Sequence, residues 1–456
     1  MARGRTLDMT QGRILPTLLR FGVPMMFGSL FQHLYNLADL SIAGYTLGDH
    51  ALASIAATSA LVTLINTTAM GFNSGNAILM AQSFGAGSWE QTRRCFAGMI
   101  ELCLGLVVCF STVLMILLDP LMKLIQTPDE LMTDAKAYIT VLIVGLFATM
   151  LYNLLAGAFR AIGNSRVPLM FLIISSVLNV VLDIVFLVPL KMGVFGAALA
   201  TVIAQGISAV LSGAYFYTHY PQLRLKKEDF CNNGGLLRDM LPMGATAALT
   251  NSLFSIGDIA VQGALNTLGQ DAIIAKVAAR KLLSFCTLPS MNISNACATF
   301  TAQNFGAKKL SRIPKGLLSA NLFSVCSNVV TFALMFLFGR SLLQVITNTE
   351  SAQVLEYGVL MLRLVASCTF LQTVVTSFRM AVQSMKHKMI PMVGTGIELL
   401  TRFFCAFVLA PSLGFLGICF AEPLSWLVSG AVMVACYFRV MKKERLALER
   451  GDEAEG

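Results

Sequence analysis

Charge is what this chain has least of. Lys, Arg, Asp and Glu make up 12% of its 456 residues, against roughly 25% in a soluble globular domain. Catalytic and metal-binding patterns are missing too. No hydrolase nucleophile elbow, zinc-protease helix, triphosphate loop or dinucleotide loop is present, so neither hydrolysis nor an ATP-driven motor has support. The eleven Cys stand singly, mostly within apolar runs and with no CxxC pair; they read as small buried hydrophobes, not disulfides or ligands. The four His (33, 50, 219 and 387) make no metal-ligand spacing. A cleavable signal is also missing: Met1 to Arg13 is polar and basic and runs into the first apolar stretch without a small-residue cleavage site.

What is present is hydrophobic length. Residues of the apolar and aromatic types are 56% of the chain, and runs of about 20 or more, long enough to cross a bilayer as helices, recur throughout. They do not alternate as barrel strands do. The pattern predicts an all-α polytopic membrane protein of twelve spans, near 14–45, 51–80, 94–118, 133–160, 166–189, 193–217, 237–265, 271–303, 315–338, 354–384, 389–410 and 414–438.

The net charge of +9 is placed by topology. Lys and Arg gather at Arg3/Arg5/Arg13, Arg93/Arg94, Arg160/Arg166, Arg224/Lys226/Lys227, Lys308/Lys309/Arg312/Lys315, Lys386/Lys388 and Lys442/Lys443/Arg445, while 46–50, 266–270 and 411–413 have none. Positive charge stays in the cytoplasm, so both termini are expected there. No nucleic-acid partner is implied.

The chain repeats itself. Leu-Leu-Arg at 18–20, Pro24, Asp39 and Gly44 return as Leu-Leu-Arg at 236–238, Pro242, Asp258 and Gly263. Ala81-Gln82-Ser83-Phe84-Gly85-Ala86 answers Ala302-Gln303-Asn304-Phe305-Gly306-Ala307, Phe159-Arg160 answers Phe378-Arg379, and Pro189 answers Pro411. Six spans per half give both halves one orientation. Two six-helix lobes related by a pseudo-two-fold along the membrane normal follow: 1–217, a cytoplasmic linker 218–236, and 237–456 with a short basic cytoplasmic tail.

Acids inside membrane helices are costly and mark function. Asp39 lies about 9 Å below the outer end of the first span, Asp183 about 9 Å below Pro189, and Thr201 about 12 Å below Gly193, by helical rise. Asn179 precedes Asp183 by one turn and shares its face, and Tyr138 stands near the outer start of the fourth span. Two acids this close in low dielectric do not both stay ionised comfortably. Either one holds a proton, or the pair shares a hard cation with oxygen ligands. Pro24, in mid-span, bends its helix and is either a switch or a static kink.

The second half departs. Asn179 maps to Thr401, Asp183 to Cys405 and Thr201 to Glu422, while Asp258 is joined by Lys276, Arg280, Lys281, Arg363 and a Glu398/Arg402 pair expected to bridge along one helix. Asp258, Lys276, Arg280 and Glu422 form a possible second-lobe polar site. The 24 Met and 30 Phe suit an apolar, adaptable cavity for organic compounds.

Pro24 with Asp39, the Ala-Gln-x-Phe-Gly-Ala run at 81–86, Phe-Arg-Ala-Ile-Gly-Asn at 159–164, Asn179-x-x-x-Asp183 and Gly193-x-x-Gly196-Ala-Ala-x-Ala-Thr201 together resemble the multidrug and toxic compound extrusion (MATE) family over essentially the whole chain. The resemblance implies an antiporter in a prokaryotic cytoplasmic membrane. It would export organic cations, drugs and other amphipathic small molecules against H⁺ or Na⁺ by alternating access, as a monomer and without a cofactor or structural metal. It also implies that Asp39, Asn179, Asp183, Thr201 and Tyr138 bind the coupling cation. Arg280 resembles the basic residue in the eighth span of the proton-coupled branch. The rivals are a flippase for lipid-linked sugars or cell-wall precursors from the same superfamily, which the second-half bases favour and the first-half acids oppose, and a membrane-embedded enzyme.

Overall fold

The computed structural model describes residues 6–125, 127–231, 233–348 and 351–455. Those residues are helical or irregular, with no strand among them. In chain order the helices are α1 (Ile14–Gly85), α2 (Trp89–Leu124), α3 (Asp129–Val144), α4 (Leu146–Ala161), α5 (Arg166–Leu187) and α6 (Gly193–His219). Then come α7 (Gly234–Asn266), α8 (Gln270–Gly306), α9 (Arg312–Thr347), α10 (Ala352–Ser384), α11 (Met389–Phe404), α12 (Ala410–Leu413), α13 (Phe415–Cys419) and α14 (Ala421–Glu455). α1 is broken at Gly48, whose φ of 79° lies outside the helical region. A π-helical turn at Cys405–Leu409 joins α11 to α12.

Eight of these helices are long and apolar enough to cross a bilayer, or up to ten if each of two bent pairs counts as one span: His50–Ser59 with Leu61–Gly85, and Asp129–Val144 with Leu146–Ala161. α7 and α8 occupy the two remaining stretches where the sequence predicts spans. They are 33 and 37 residues long but carry Asp258, Lys276, Arg280 and Lys281 among their apolar residues. Large apolar side chains such as Val108, Ile116, Leu318, Leu322 and Leu337 are mostly exposed. On a soluble protein such a surface would aggregate; here it is the lipid face. The molecule is a multi-pass membrane protein.

Contacts divide the chain into two compact units, 1–8 with 27–248, and 9–26 with 249–456. The changes of unit fall inside α1, just after Pro24, and inside α7, after Pro242. In the first unit α6 packs against α3, α4 and α5. In the second, α10 packs against α8, α9 and α14.

Residues of the sequence motifs turn out to be structural clasps. Asn164 closes Phe-Arg-Ala-Ile-Gly-Asn: its Oδ1 accepts from the N–H groups of Arg166 and Val167 at 3.1 Å each, capping α5. Its Nδ2 donates to the Tyr220 hydroxyl at 2.8 Å. Burial pushes that hydroxyl above the usual phenol range, so it stays neutral. Gly163 takes φ of 80°, and the Leu7 carbonyl oxygen lies 2.1 Å from where a Cβ would stand. In the second unit, Gln303 Oε1 accepts from Met9 N–H at 3.0 Å and Asn304 Nδ2 donates to Met9 C=O at 3.2 Å. These two fully buried amides thus receive segment 9–12, with Lys309 and Arg312 donating to its carbonyls.

The linker is anchored rather than loose. Arg93 Nε reaches both oxygens of Asp229 at 2.8 and 2.6 Å. Asp229, 1% exposed, also accepts from Lys226 N–H at 2.7 Å.

Candidate functional site

Four helices of the first unit bring polar groups to one place. α5 presents Asn179 and Asp183, each 1% exposed, one turn apart on its inner face. α6 presents Thr201, α1 presents Asp39, and α3 presents Tyr138. The amide of Asn179 lies 3.3 Å from the Thr201 hydroxyl. With its oxygen turned to Thr201 it accepts from that residue's N–H at 3.1 Å, and its nitrogen donates to Asp183 Oδ2 at 3.0 Å. Thr201 Oγ1 donates to the Ala197 carbonyl at 3.2 Å.

The carboxyl groups of Asp39 and Asp183 face each other within hydrogen-bonding reach. Neither forms an ion pair among the described residues, and Asp183 Oδ1 is buried there without a hydrogen-bond partner. Tyr138 lies close to both acids. So does Tyr35, whose hydroxyl lies near Thr201. Tyr35 is absent from the sequence expectation, although it stands one helical turn before Asp39 and therefore on its face. Pro24 lies about 22 Å from Asp39 along the helix by rise.

A small residue lets the helices close on this site. Gly145 sits at the 46° bend between α3 and α4. The Val202 side chain, next to Thr201 on α6, approaches to 2.2 Å from the position a Cβ would take. One turn past the bend, Thr149 donates to Gln205 Oε1.

The second unit assembles a different cluster around Asp258. Arg402 Nη1 donates to Asp258 Oδ1 at 2.6 Å and Arg280 Nη2 to Oδ2 at 3.0 Å. Arg280 Nη1 stands 3.4 Å from Glu422. Lys276 donates to Gln262 Oε1 at 3.3 Å. Asp258, Lys276, Arg280 and Glu422 thus lie together. The expected bridge between Glu398 and Arg402 does not form: Glu398 pairs with Arg379 of α10 and Arg402 with Asp258. The side chains point toward different helices, and Gly257 opens the way, with Arg402 Cδ only 2.9 Å from its absent Cβ. Arg363 stands apart from the cluster, its guanidinium 4.6 Å from the Phe336 ring centroid.

The MatE family model matches the chain twice, over 24–185 and 246–408. The chain belongs to the MatE family. The double match falls on the two copies of the internal repeat. Among curated proteins it is similar to the "Probable multidrug resistance protein YpnP" of Bacillus subtilis, 26% identical over 76% of this chain and 78% of that protein. It is also similar to the "FAD transporter" of Shewanella oneidensis, 24% identical over 76% of each. Among solved structures, an outward-facing MATE family transporter superposes with a TM-score of 0.89 at 21% identity, covering 98% of this chain and all of that one; that likeness establishes the fold. MatE proteins are membrane transporters, so the enzyme alternative falls away.

Proposed function

We propose that this MatE chain is a cation-driven antiporter that exports amphipathic small molecules by alternating access, and that a proton is the coupling ion. The observation that carries this is the pairing of Asp39 with Asp183. Two carboxyls within hydrogen-bonding reach, in a helix bundle and with no base against them among the described residues, are held together by one proton between them. Asn179 and Thr201 fix Asp183, and Tyr35 and Tyr138 close the pocket. A proton entering from outside favours release of substrate outward; its loss toward the cytoplasm restores substrate affinity. The positive-inside pattern supports a cytoplasmic place for both termini. A sodium ion is the alternative, since the same oxygens are hard ligands.

Efflux of an organic-cation dye from proteoliposomes tests this, first under an imposed pH gradient and then under a Na⁺ gradient. The pH gradient is expected to drive it and Asp39→Asn to abolish the driven component. Full efflux by Asp39→Asn would overturn the mechanism, and a response to Na⁺ alone would replace the proton.

A further inference from the structure

We propose that the Asp258 cluster of the second unit is a binding site for the acidic group, carboxylate or phosphate, of an amphipathic organic anion, and that the exported compounds include such acids. This goes beyond the antiport reading and rests on it only in taking the chain to be a transporter.

The argument is one of unmatched charge. Three bases, Lys276, Arg280 and Arg402, surround two acids, Asp258 and Glu422. Both Asp258 oxygens are taken, one by each arginine, and Glu422 faces Arg280. Neither acid comes within ion-pair distance of Lys276 among the described residues; Glu422 and Asp258 attract it only from farther off. Its ammonium has three donors, and among the described residues it meets only the neutral amide of Gln262 at 3.3 Å. Yet Lys276 is 5% exposed. A buried ammonium whose one close partner is an amide is costly, and an anion beside it offsets that cost.

The cluster also has an open side. The side chain of Arg280 is 45% exposed, and Lys276 and Arg280 are four apart on one face of α8. An anion placed there gains the spare donors of Lys276 and the outward donors of Arg280. Asp258 and Glu422 meanwhile hold Arg280 in position, and Arg402, itself 7% exposed, holds the other oxygen of Asp258. Among the described residues the repeat-related place in the first unit has only acids and neutral groups, so the two copies have opposite polarity. Each is suited to one charge, the cation at Asp39 and the anion at Lys276.

The test uses the purified full-length chain in detergent at constant ionic strength, with thermal unfolding as the readout. Benzoate and phenyl phosphate are the anionic probes and benzamide is the neutral control of the same shape. Both anions are expected to raise the unfolding temperature in a saturable way and benzamide to leave it alone. Stabilisation by one anion only narrows the acid group to that chemistry. Lys276→Gln is expected to raise the apparent Kd at least tenfold, the loss of one charge-assisted hydrogen bond, and Lys276→Arg to keep binding close to native. Equal behaviour of the anions and benzamide overturns the proposal, as does unchanged anion binding in Lys276→Gln, or loss of it in both variants. Because the readout is binding, failure of the coupling mechanism at Asp39 leaves the result intact, and the reverse also holds.

Discussion

Arg402 reaches from α11 to Asp258 on α7, its Nη1 2.6 Å from Oδ1. Asp258 is the repeat partner of Asp39, so one acid inherited twice has two fates. In the second unit its charge is neutralised by guanidinium groups; in the first it meets another carboxyl. The proposed cation coupling therefore rests on one copy alone, and the pairing of Asp258 belongs to the scaffold of the other.

That difference predicts opposite consequences for the same substitution. Asp258→Asn leaves Arg402, nearly buried, without its anion. The cost should be about 2 kcal/mol, below the roughly 3–5 kcal/mol of a fully buried pair because Asp258 is 39% exposed. A lowered unfolding temperature with pH-driven transport retained is the expected pattern. Loss of the pH dependence at native stability would place coupling in the second unit instead.

Gly257→Ala should produce a milder version of the same defect. The added methyl would stand 2.9 Å from Arg402 Cδ, closer than side-chain carbons pack, and would push the guanidinium off Asp258. A loss of about 1–2 kcal/mol is expected, and the double variant with Asp258→Asn should lose no more than Asp258→Asn alone. Additive losses in this cycle would show that Gly257 does not act through the ion pair.

The linker offers a test away from the membrane. Asp229 accepts from Arg93 and from its own turn, so Asp229→Ala should release the segment and strand a nearly buried guanidinium, a loss of about 2–3 kcal/mol. Trypsin should then cut after Lys226 or Lys227 at least tenfold faster than in the native chain. An unchanged cutting rate would mean that other contacts hold the linker.

At the α3–α4 bend, Gly145→Ala would put a methyl against Val202, whose Cγ2 lies 2.2 Å from the new atom. A β-branched valine has little rotamer freedom in a helix, so α6 must move, and Thr201 with it. Loss of about 1–3 kcal/mol should come with weaker transport, measured in the same proteoliposome assay. Intact transport would show that the site tolerates a shifted α6.

Much of this could be seen in the chain itself, for particular reasons. Apolar length marks the helices, and the expected start at Arg166 and the one at Gly193 agree with α5 and α6. Asp39, Asn179, Asp183 and Thr201 could be grouped because helical rise alone gives their depth. Partner choice was less legible. Glu398 and Arg402 share a spacing that favours a bridge, but rotamers and the Gly257 opening send Arg402 across to α7. The roles of Gln303 and Asn304 were hidden because each answers a backbone group of a distant segment, Met9, which side-chain periodicity does not encode. α7 and α8 are expected as spans from their apolar runs, while their charges keep them short of the hydropathy of the other helices.

Tyr35 carries the sharpest prediction, because it separates coupling from assembly. Its hydroxyl lies near Thr201, Asp39 and Asp183. Tyr35→Phe keeps the ring, its packing and the apolar wall, and removes only the hydroxyl. Stability should change by no more than about 1 kcal/mol, the net worth of one hydrogen bond. Thr201, freed from Tyr35, would still be held through Asn179, so the acids stay paired, but the hydroxyl that closes the proton's surroundings is gone. The expected result is pH-driven efflux reduced about tenfold, with binding of the dye at equilibrium unchanged. If binding and driven efflux fall in proportion, Tyr35 belongs to the substrate's wall and not to the proton site.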